Sequence, residues 1–230
     1  MVEMDRPVLS VVIPTLHAAE QLEACIMSLA ELTVSYEIIV VDGGSRDNTL
    51  AIAHLHDAYV NPSPPGRGIQ LNAGAEAARS NWLLFLHADT VLEMGWATEL
   101  QTFLETPKNI RRAAAFSFSL DDACVSARCI EWVVAWRCRY LNLPYGDQGL
   151  LIHRNIYEQV GGYKPIPIME DVDIVWRLRS YGLHTFSARA ITSSTRYHRD
   201  GWAMRPLRNL LCLVLWISGM APEKIAKVYG

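Results

Sequence analysis

The sequence predicts one α/β domain with a mainly parallel sheet between two layers of helices. Three stretches support this, because in each a short apolar run leads through a polar loop into a helical pattern: residues 8–29, 37–56 and 82–104. A short apolar run without alternation is typical of a strand buried on both faces. Successive strand–helix units make right-handed crossovers, which place their strands in parallel.

In the first half, strands are expected at residues 8–13, 37–41, 58–60 and 82–86. One helix face follows the first strand at helical spacing: Leu22, Cys25, Ile26 and Leu29. Ser45 or Asp47 can cap a second helix over residues 48–56. A proline- and glycine-rich loop, residues 61–68, precedes a helix over residues 69–78, and a further helix is expected at residues 95–104.

In the second half, residues 115–120 alternate phenylalanine or leucine with serine. This period of two predicts a half-exposed strand and a sheet that becomes mixed. The remaining expected elements are helices at 125–140, 155–160, 170–181, 203–220 (broken at Pro206) and 222–228, and strands at 150–153, 185–188 and 192–197.

Composition excludes several classes. A net charge of −3 argues against a general nucleic-acid partner. The five cysteines form no CxxC pair, which indicates a reducing cytoplasm and neither a zinc site nor a disulfide framework. Residues 1–7 lack the apolar region of a signal peptide, and the apolar run 210–220 is shorter than a membrane span.

The candidate site residues follow strand ends, where open α/β sheets bind ligands. Asp89 is either a Mg²⁺ or Mn²⁺ ligand or a turn cap. Asp42 could accept hydrogen bonds from a ribose or base, although Asp-Gly-Gly-Ser is also an ordinary turn. Arg67 could pair with a diphosphate through its planar guanidinium, or it could be a solvated surface arginine.

Later in the chain, Glu170 and Asp171 begin a helix after a proline-stiffened approach. They could supply a general base or simply cap the helix. Asp173 lies four residues before Arg177, so a surface ion pair explains it. His198, like His87, is either a metal ligand or a structural histidine.

Five stretches in order resemble the family 2 glycosyltransferases with the GT-A fold, over about residues 8–200. They are Val11–Thr15, Ile39–Ser45, Gly68–Gly74, Leu84–Thr90, and Gly161-Gly162-Tyr163 leading to Met169-Glu170-Asp171. Two details, residues 144–149 and the Arg177-Leu178-Arg179 run before Gly182, resemble a bacterial subgroup of arsenosugar-biosynthesis or radical-SAM/selenodomain-associated transferases.

The resemblance implies site roles. Pro14, Thr15 and Asp42 would bind the nucleoside of a sugar nucleotide, most often UDP, with Arg67 near the diphosphate. His87, Ala88 and Asp89 occupy the place of the DxD motif, with Asp89 and His198 as Mn²⁺ or Mg²⁺ ligands. Asp171, beside Glu170, would be the catalytic base. Gly146, Asp147, Gln148 and Gly149 would form a glycine loop near the donor sugar and an unknown acceptor.

The reaction implied is a single displacement that inverts the anomeric carbon. The metal would neutralise charge on the leaving diphosphate, and Asp171 would take the acceptor proton. Residues 8–90 would form the nucleotide-binding half, 91–200 the acceptor and catalytic half, and 201–230 the C-terminal helices.

Two departures from the family pattern leave alternatives open. His87 replaces the first acid of DxD, and His17-Ala18 replaces the usual Asn-Glu. A non-catalytic or degraded binding module therefore competes with an enzyme. A sugar-nucleotide nucleotidyltransferase is disfavoured, because its glycine-rich segment after the first strand is absent. Residues 207–220 are expected to pack as core, with a peripheral membrane contact or a homodimer face as alternatives.

Overall fold

Eight strands form one sheet in the computed structural model, which describes residues 6–229. The strands are β1 (Leu9–Thr15), β2 (Tyr36–Asp42), β3 (Tyr59–Pro62), β4 (Trp82–Phe85), β5 (Thr90–Leu92), β6 (Ala113–Leu120), β7 (Leu150–His153) and β8 (Leu183–Thr192). The helices are α1 (Ala19–Met27), α2 (Thr49–Leu55), α3 (Arg67–Ala77), α4 (Trp96–Glu105), α5 (Val125–Leu141), α6 (Arg154–Gln159), α7 (Glu170–Arg177), α8 (Thr195–Asp200), α9 (Met204–Ile217) and α10 (Pro222–Tyr229).

The strand order is β3-β2-β1-β4-β7-β6-β8-β5. The first four strands in this order are parallel, as the strand–helix units predict. β7 then inserts antiparallel to both β4 and β6, while β6 and β8 are parallel and β5 closes the edge antiparallel to β8. Because these strands are parallel, the carboxyl ends of β1, β2 and β4 lie along the same side of the sheet, which is called one edge of the sheet below.

The core lies on both faces of the sheet, as expected for three layers. Alternate residues of β1 belong to different core clusters. Val11 packs in the cluster that contains Leu22 of α1, and Val12 packs in the cluster that contains Leu71 of α3. Both β1 side chains are fully buried, which explains why the strand shows no polar alternation.

The expectation of a half-exposed strand at residues 115–120 is wrong. β6 is buried along almost its whole length, and Ser119 is buried with it. The serine hydroxyls are satisfied inside the protein: Ser117 donates to the Phe186 carbonyl at 2.7 Å, and Ser119 donates to Glu131 at 2.8 Å. Because these hydrogen bonds replace water, the polar positions need not face solvent.

Three other boundaries differ from the expectations. Residues 183–192 form one strand, and the predicted strand at 192–197 is wrong because Thr195–Asp200 is helical. The turn into α8 is fixed where the Ser194 N–H donates to Asp121 at 2.7 Å. The helix predicted over 170–181 ends as α7 at Arg177, and the chain continues as a 3₁₀ turn. The predicted break at Pro206 is wrong, because this proline lies in the first turn of α9, where it is tolerated.

The expectation that residues 207–220 pack as core holds for one face of α9 only. Cys212 and Leu213 are buried, whereas Leu207, Leu211 and Val214 are exposed. Among residues 6–229, every helix is too short or too polar to cross a bilayer.

Candidate active site

Asp42 ends β2 opposite Thr15, the last residue of β1, and Pro14 lies one position earlier opposite Val41. Thr15 donates to one Asp42 carboxylate oxygen at 3.1 Å, and the N–H groups of Gly44 and Ser45 donate to the other at 2.9 and 2.8 Å. Burial acts to raise the pKa of Asp42, but these hydrogen bonds and that of the Ser45 hydroxyl hold it below its usual value. The carboxylate is therefore ionised and fixes the turn.

α3 lies directly on the ends of β1 and β2. Gln70, which is buried, donates from its amide nitrogen to the carbonyls of Thr15 and Val41, both at 2.8 Å. A Cβ at Gly74 would lie 2.2 Å from Cγ1 of Val12, so only glycine allows this approach. The packing places the first residue of α3, Arg67, beside the strand ends.

Arg67 forms an ion pair with Glu170, the first residue of α7, with 3.3 Å between Nη1 and Oε1. Glu170 is almost fully buried, whereas the Arg67 side chain is 45% exposed. Desolvation acts to lower the pKa of Arg67, but Glu170, Asp171 and Asp89 outweigh it and raise the pKa. Glu170 thus contacts the guanidinium directly, and the two aspartates act on it through their charge.

Asp171 contacts the glycine loop. Its Oδ2 accepts a hydrogen bond from the Gly146 N–H at 2.8 Å, and its Oδ1 accepts one from the Val172 N–H at 2.7 Å. A Cβ at Gly146 would lie 2.8 Å from Nε2 of His87 and 3.5 Å from Cβ of Asp171. Residues distant in the chain thus meet at Gly146, where a larger side chain would not fit.

The loop itself is held by Gln148, which is buried. Its amide donates to the Phe116 carbonyl at 2.9 Å, and its oxygen accepts from Arg137 and from the Tyr145 N–H, both at 3.2 Å. Gly149 ends the loop with a φ of 64°, a left-handed conformation that favours glycine. Gln148 and Gly149 therefore shape the loop.

Asp147 contributes a buried carboxylate oxygen, Oδ1, that has no hydrogen-bond partner among residues 6–229. Desolvation raises the pKa of Asp147 to about 6, opposed by Arg137 and reinforced by Asp171 and Asp89. Asp171 and Asp89 thus repel the Asp147 carboxylate, and the charges of Arg137 and Arg67 partly offset that repulsion.

His87 and Asp89 follow β4, separated by the buried Ala88. Burial lowers the pKa of His87 to about 4, helped by Arg67 and opposed by Asp89 and Asp171, so the imidazole is neutral near pH 7. Asp89 pairs with Arg196 of α8 at 3.7 Å between Oδ2 and Nη2.

His198 lies on the same short helix as Arg196 but contacts a different carboxylate. Its Nε2 is 2.8 Å from Oδ2 of Asp122. Among the described residues, no three His, Cys, Asp or Glu side chains are grouped so that they could hold a metal ion. The geometry thus brings Arg67, His87 and Asp89 together with Asp147 and Asp171, while His198 is engaged elsewhere.

Sequence reasoning missed the two long-range ion pairs at this edge, Arg67–Glu170 and Arg196–Asp89. Their partners are 103 and 107 residues apart, and no local pattern links them. The Asp173–Arg177 pair was predicted and is present, but Asp173 is buried and also binds Lys164 at 2.9 Å, so the pair is not a surface contact.

Comparison with known proteins finds a family model that matches part of the chain. Residues 10–117 match the model described as Glycosyl transferase family 2. A PGL/p-HBAD biosynthesis glycosyltransferase of Mycobacterium bovis is 39% identical over 97 residues, which are 39% of this chain and 38% of that protein. The chain thus matches little more than a third of that relative's length. An uncharacterized glycosyltransferase of Mycobacterium tuberculosis is 28% identical over 205 residues, 81% of this chain and 91% of that protein.

Solved structures share the fold at low identity. S. aureus TarS 1–349 has a TM-score of 0.62 at 12% identity, covering 96% of this chain and 69% of that one. The mannosyltransferase PcManGT from Pyrobaculum calidifontis, in complex with GDP-Man and Mn²⁺, has a TM-score of 0.63 at 16% identity. The match covers 98% of this chain and 69% of that one.

Glucosyl-3-phosphoglycerate synthase from Mycobacterium tuberculosis, in complex with Mn²⁺, UDP and glucosyl-3-phosphoglycerate, has a TM-score of 0.55 at 18% identity. The match covers 81% of this chain and 70% of that one. The chain therefore has the GT-A fold, and the part of it that matches the model of glycosyl transferase family 2 is residues 10–117.

Proposed function

We propose that this protein transfers a sugar from a nucleotide-sugar donor to an acceptor hydroxyl, with inversion at the anomeric carbon. The observation that carries the proposal is the cluster at Gly146, which lies against His87, two residues before Asp89, and donates to Asp171, whose neighbour Glu170 pairs with Arg67. A cation for the diphosphate, a carboxylate for a metal and a carboxylate for a proton are what this displacement needs.

The donor would lie along the ends of β1, β2 and α3. Pro14, Thr15 and Asp42 would contact the nucleoside, and Arg67 would bind the diphosphate with its planar donor groups. Because the Asp42 carboxylate already accepts hydrogen bonds from Thr15, Gly44 and Ser45, its contribution is mainly to hold the nucleoside-binding turn. His87 and Ala88 would line the floor beside the diphosphate.

Asp89 and its neighbours could hold a divalent cation, with the protein supplying only some of the ligands. Asp89 is paired only loosely with Arg196, and the nearby Oδ1 of Asp147 is buried without a partner among the described residues. Mg²⁺ is commonly bound by one or two carboxylates together with substrate phosphates and water. When bound, Mn²⁺ or Mg²⁺ would offset charge on the leaving diphosphate. His198 serves as a ligand in this proposal only if its Nε2 leaves Asp122.

Asp171 would remove the acceptor proton. The Gly146 N–H holds its Oδ2 at 2.8 Å, which fixes the carboxylate while leaving further lone pairs for a hydroxyl. Glu170 is the other acid predicted to be catalytic, but its carboxylate faces Arg67. We therefore assign Glu170 to positioning Arg67, and the loop from Gly146 to Gly149 to the donor sugar and acceptor.

The donor base is proposed as uracil on the family resemblance. Two of the structural neighbours are complexes with UDP-GlcNAc and UDP, and one holds GDP-Man. Binding should therefore be measured with UDP, GDP and dTDP, each with and without Mn²⁺, by titration calorimetry. At least one nucleotide should bind, more tightly with Mn²⁺; no binding by any of them would contradict the donor site.

A non-catalytic binding module is the second candidate. It is favoured by the ion pair between Asp89 and Arg196 and by the lack of a grouped metal shell in the described part of the chain. Hydrolysis of the donor sugar nucleotide discriminates the two, because a transferase releases nucleoside diphosphate slowly even without its acceptor. A module that binds the donor but never cleaves it would replace the transferase proposal.

We also propose three finer assignments. Residues 8–90 form the nucleotide-binding half, 91–200 the acceptor half and 201–230 the C-terminal helices. The chain belongs to the subgroup of arsenosugar-biosynthesis or radical-SAM/selenodomain-associated transferases, since residues 144–149 carry its loop pattern. The protein works in the cytoplasm and makes a peripheral contact with a membrane through α9. The alternative is that α9 forms the interface of a homodimer.

A further inference from the structure

Helix α5 presents an apolar face to solvent. Its exposed side chains recur every three or four residues, which places them along one side of the helix: Val125, Cys129, Trp132, Val133, Trp136 and Tyr140. The opposite side, with Val134 and Cys138, packs on β6. Trp132 is 70% exposed, which is unusual for so large an apolar side chain in a helix that already has a buried face.

Helix α9 presents a second apolar face with the same spacing. Its exposed side chains are Met204, Leu207, Leu210, Leu211, Val214 and Ile217. Cys212 and Leu213 on the other side are buried against the core. Single exposed leucines are normal, but six apolar residues on one side of a 14-residue helix form a continuous stripe.

Two sets of contacts link these helices. Near the start of α9, Trp202 stacks on Tyr197, which packs in the same cluster as α5. Near its end, Trp216 meets Trp176 at 5.4 Å, and Arg179 lies over Trp176. Arg179 also donates to the Leu141 carbonyl at the end of α5, at 3.4 Å. These links place α5 and α9 beside the same two helices, α7 and α8.

Both helices are also linked to the candidate site. Arg137 of α5 lies 3.4 Å from the centre of the Tyr145 ring, and the next residue, Gly146, bonds to Asp171. At the other end, α8 carries Arg196, the partner of Asp89, and leads into α9.

The charge of these segments is opposite to that of the rest of the chain. Residues 124–145 and 201–230 contain seven arginines and lysines against two glutamates, a net charge of +5. The whole chain has a net charge of −3, so the remainder is −8. Arg205 is turned inward to Asp200 at 2.8 Å, whereas Arg139, Lys224 and Lys227 are exposed.

We propose that the exposed faces of α5 and α9, with their basic surroundings, dock the protein on an anionic lipid surface. Helices that lie in a membrane interface combine an apolar face bearing tryptophan and leucine with arginine and lysine beside it. Tryptophan and tyrosine also favour the level of the lipid headgroups. This rests on the peripheral contact proposed above, and it names the surface and the lipid charge.

The test measures binding to vesicles without donor or acceptor, so it can fail while sugar transfer stands. Vesicles of phosphatidylcholine with phosphatidylglycerol are compared with phosphatidylcholine alone by flotation. The protein should float with the anionic vesicles, and less so at high salt because the attraction is screened. Equal flotation with both vesicles, or with neither, would overturn the proposal.

Variants locate the contact. Leu207→Ser with Leu211→Ser, and separately Trp132→Ser with Trp136→Ser, should each reduce vesicle partitioning at least about tenfold, because each removes two apolar side chains from the lipid contact. Leu55→Ser, at a leucine that is 73% exposed on α2, is the matched control and should bind as the unchanged protein does. Unchanged partitioning of both double variants would overturn the proposal.

A second measurement does not depend on serine variants. Bromine-labelled lipids should quench tryptophan fluorescence on binding, and Trp132→Phe with Trp136→Phe should lose most of the quenching while still floating. Light scattering in the absence of lipid should give a monomer. A dimer that the α9 variants dissociate would assign the surface to a second copy of the chain instead.

Discussion

At the residue scale, the candidate site depends on the balance between its carboxylates and its arginines. Glu170 contacts Arg67, Asp171 and Asp89 act on it through their charge, and Arg196 adds a second cation at Asp89. Each carboxylate has a different surrounding: Glu170 is buried against Arg67, while Asp171 is held by a backbone N–H. Different surroundings allow neighbouring acids to take different roles.

Asp171→Asn tests the base. Loss of a positioned general base lowers rates by about 10² to 10⁴. We therefore expect the sugar-transfer rate to fall within that range while nucleoside diphosphate binding stays within about twofold, because the amide keeps its shape and can still accept the Gly146 hydrogen bond. Asp57→Asn, the same change at an exposed aspartate outside the candidate site, is the control. A transfer rate unchanged in Asp171→Asn would remove the base assignment.

Arg67→Ala tests the diphosphate contact. A charge-assisted hydrogen bond contributes about 1.5 to 3 kcal/mol, so UDP should bind roughly 10- to 150-fold more weakly. Uridine, which has no phosphate, should bind the variant and the unchanged protein alike. Calorimetry with both ligands makes the comparison, and an equal loss for uridine would mean that Arg67 supports the fold and not the phosphate.

Glu170→Gln should act through Arg67. The neutral amide keeps the shape but weakens the ion pair, so UDP affinity should fall by less than in Arg67→Ala. In the double variant, the Glu170 change should add nothing further, because the two residues act as one unit. Additive losses in calorimetry would argue that Glu170 contacts the donor independently.

The lowered pKa of His87 gives a pH prediction with a definite sign. Between about pH 6.5 and 4 the unfolded chain takes up a proton at this position that the folded chain does not. The contribution of His87 to stability is therefore lost as the pH falls through this window. NMR titration should show His87 neutral at pH 6, and His87→Asn should flatten the stability curve there; a His87 that titrates near 6.5 would contradict the burial argument.

At the element scale, α3 positions Arg67 through close packing. The Gly74 position leaves no room for a Cβ beside Val12 and Val41. In an open helix, glycine to alanine would stabilise by about 0.8 to 1 kcal/mol. Here overpacking should dominate, and Gly74→Ala should destabilise by about 1 to 3 kcal/mol in urea denaturation. Glu76→Ala, exposed on the same helix, is the control, and a stabilised Gly74→Ala would show that α3 sits further from the sheet.

Elements were predictable where one pattern decided them. The strands at 8–13 and 37–41 and the helix at 125–140 were predicted within a few residues, because uninterrupted apolar runs and helical spacing report burial directly. β6 was misread because a serine can be buried when a partner such as Glu131 supplies its hydrogen bond. The strand predicted at 192–197 failed because Ser193, Ser194 and Thr195 turn the chain into α8.

At the scale of the whole molecule, the parallel half followed from the sequence and the second half did not. Crossover rules predict that β1, β2 and β4 run parallel, but nothing local predicts that β7 inserts antiparallel between β4 and β6. The same holds for the site: Asp89 and Asp171 were predicted as site residues, whereas the placement of Arg196 beside Asp89 and of Asp122 beside His198 depends on long-range packing.

The central claim is that residues from β4, α3 and α7 form one donor site, and a crystal of the UDP complex with Mn²⁺ tests it most directly. Anomalous scattering locates the manganese without reference to the protein. The account predicts a manganese peak about 2.1 Å from an Asp89 oxygen, with the diphosphate between it and Arg67. A manganese peak or a nucleotide bound away from Asp89 and Arg67 would contradict it.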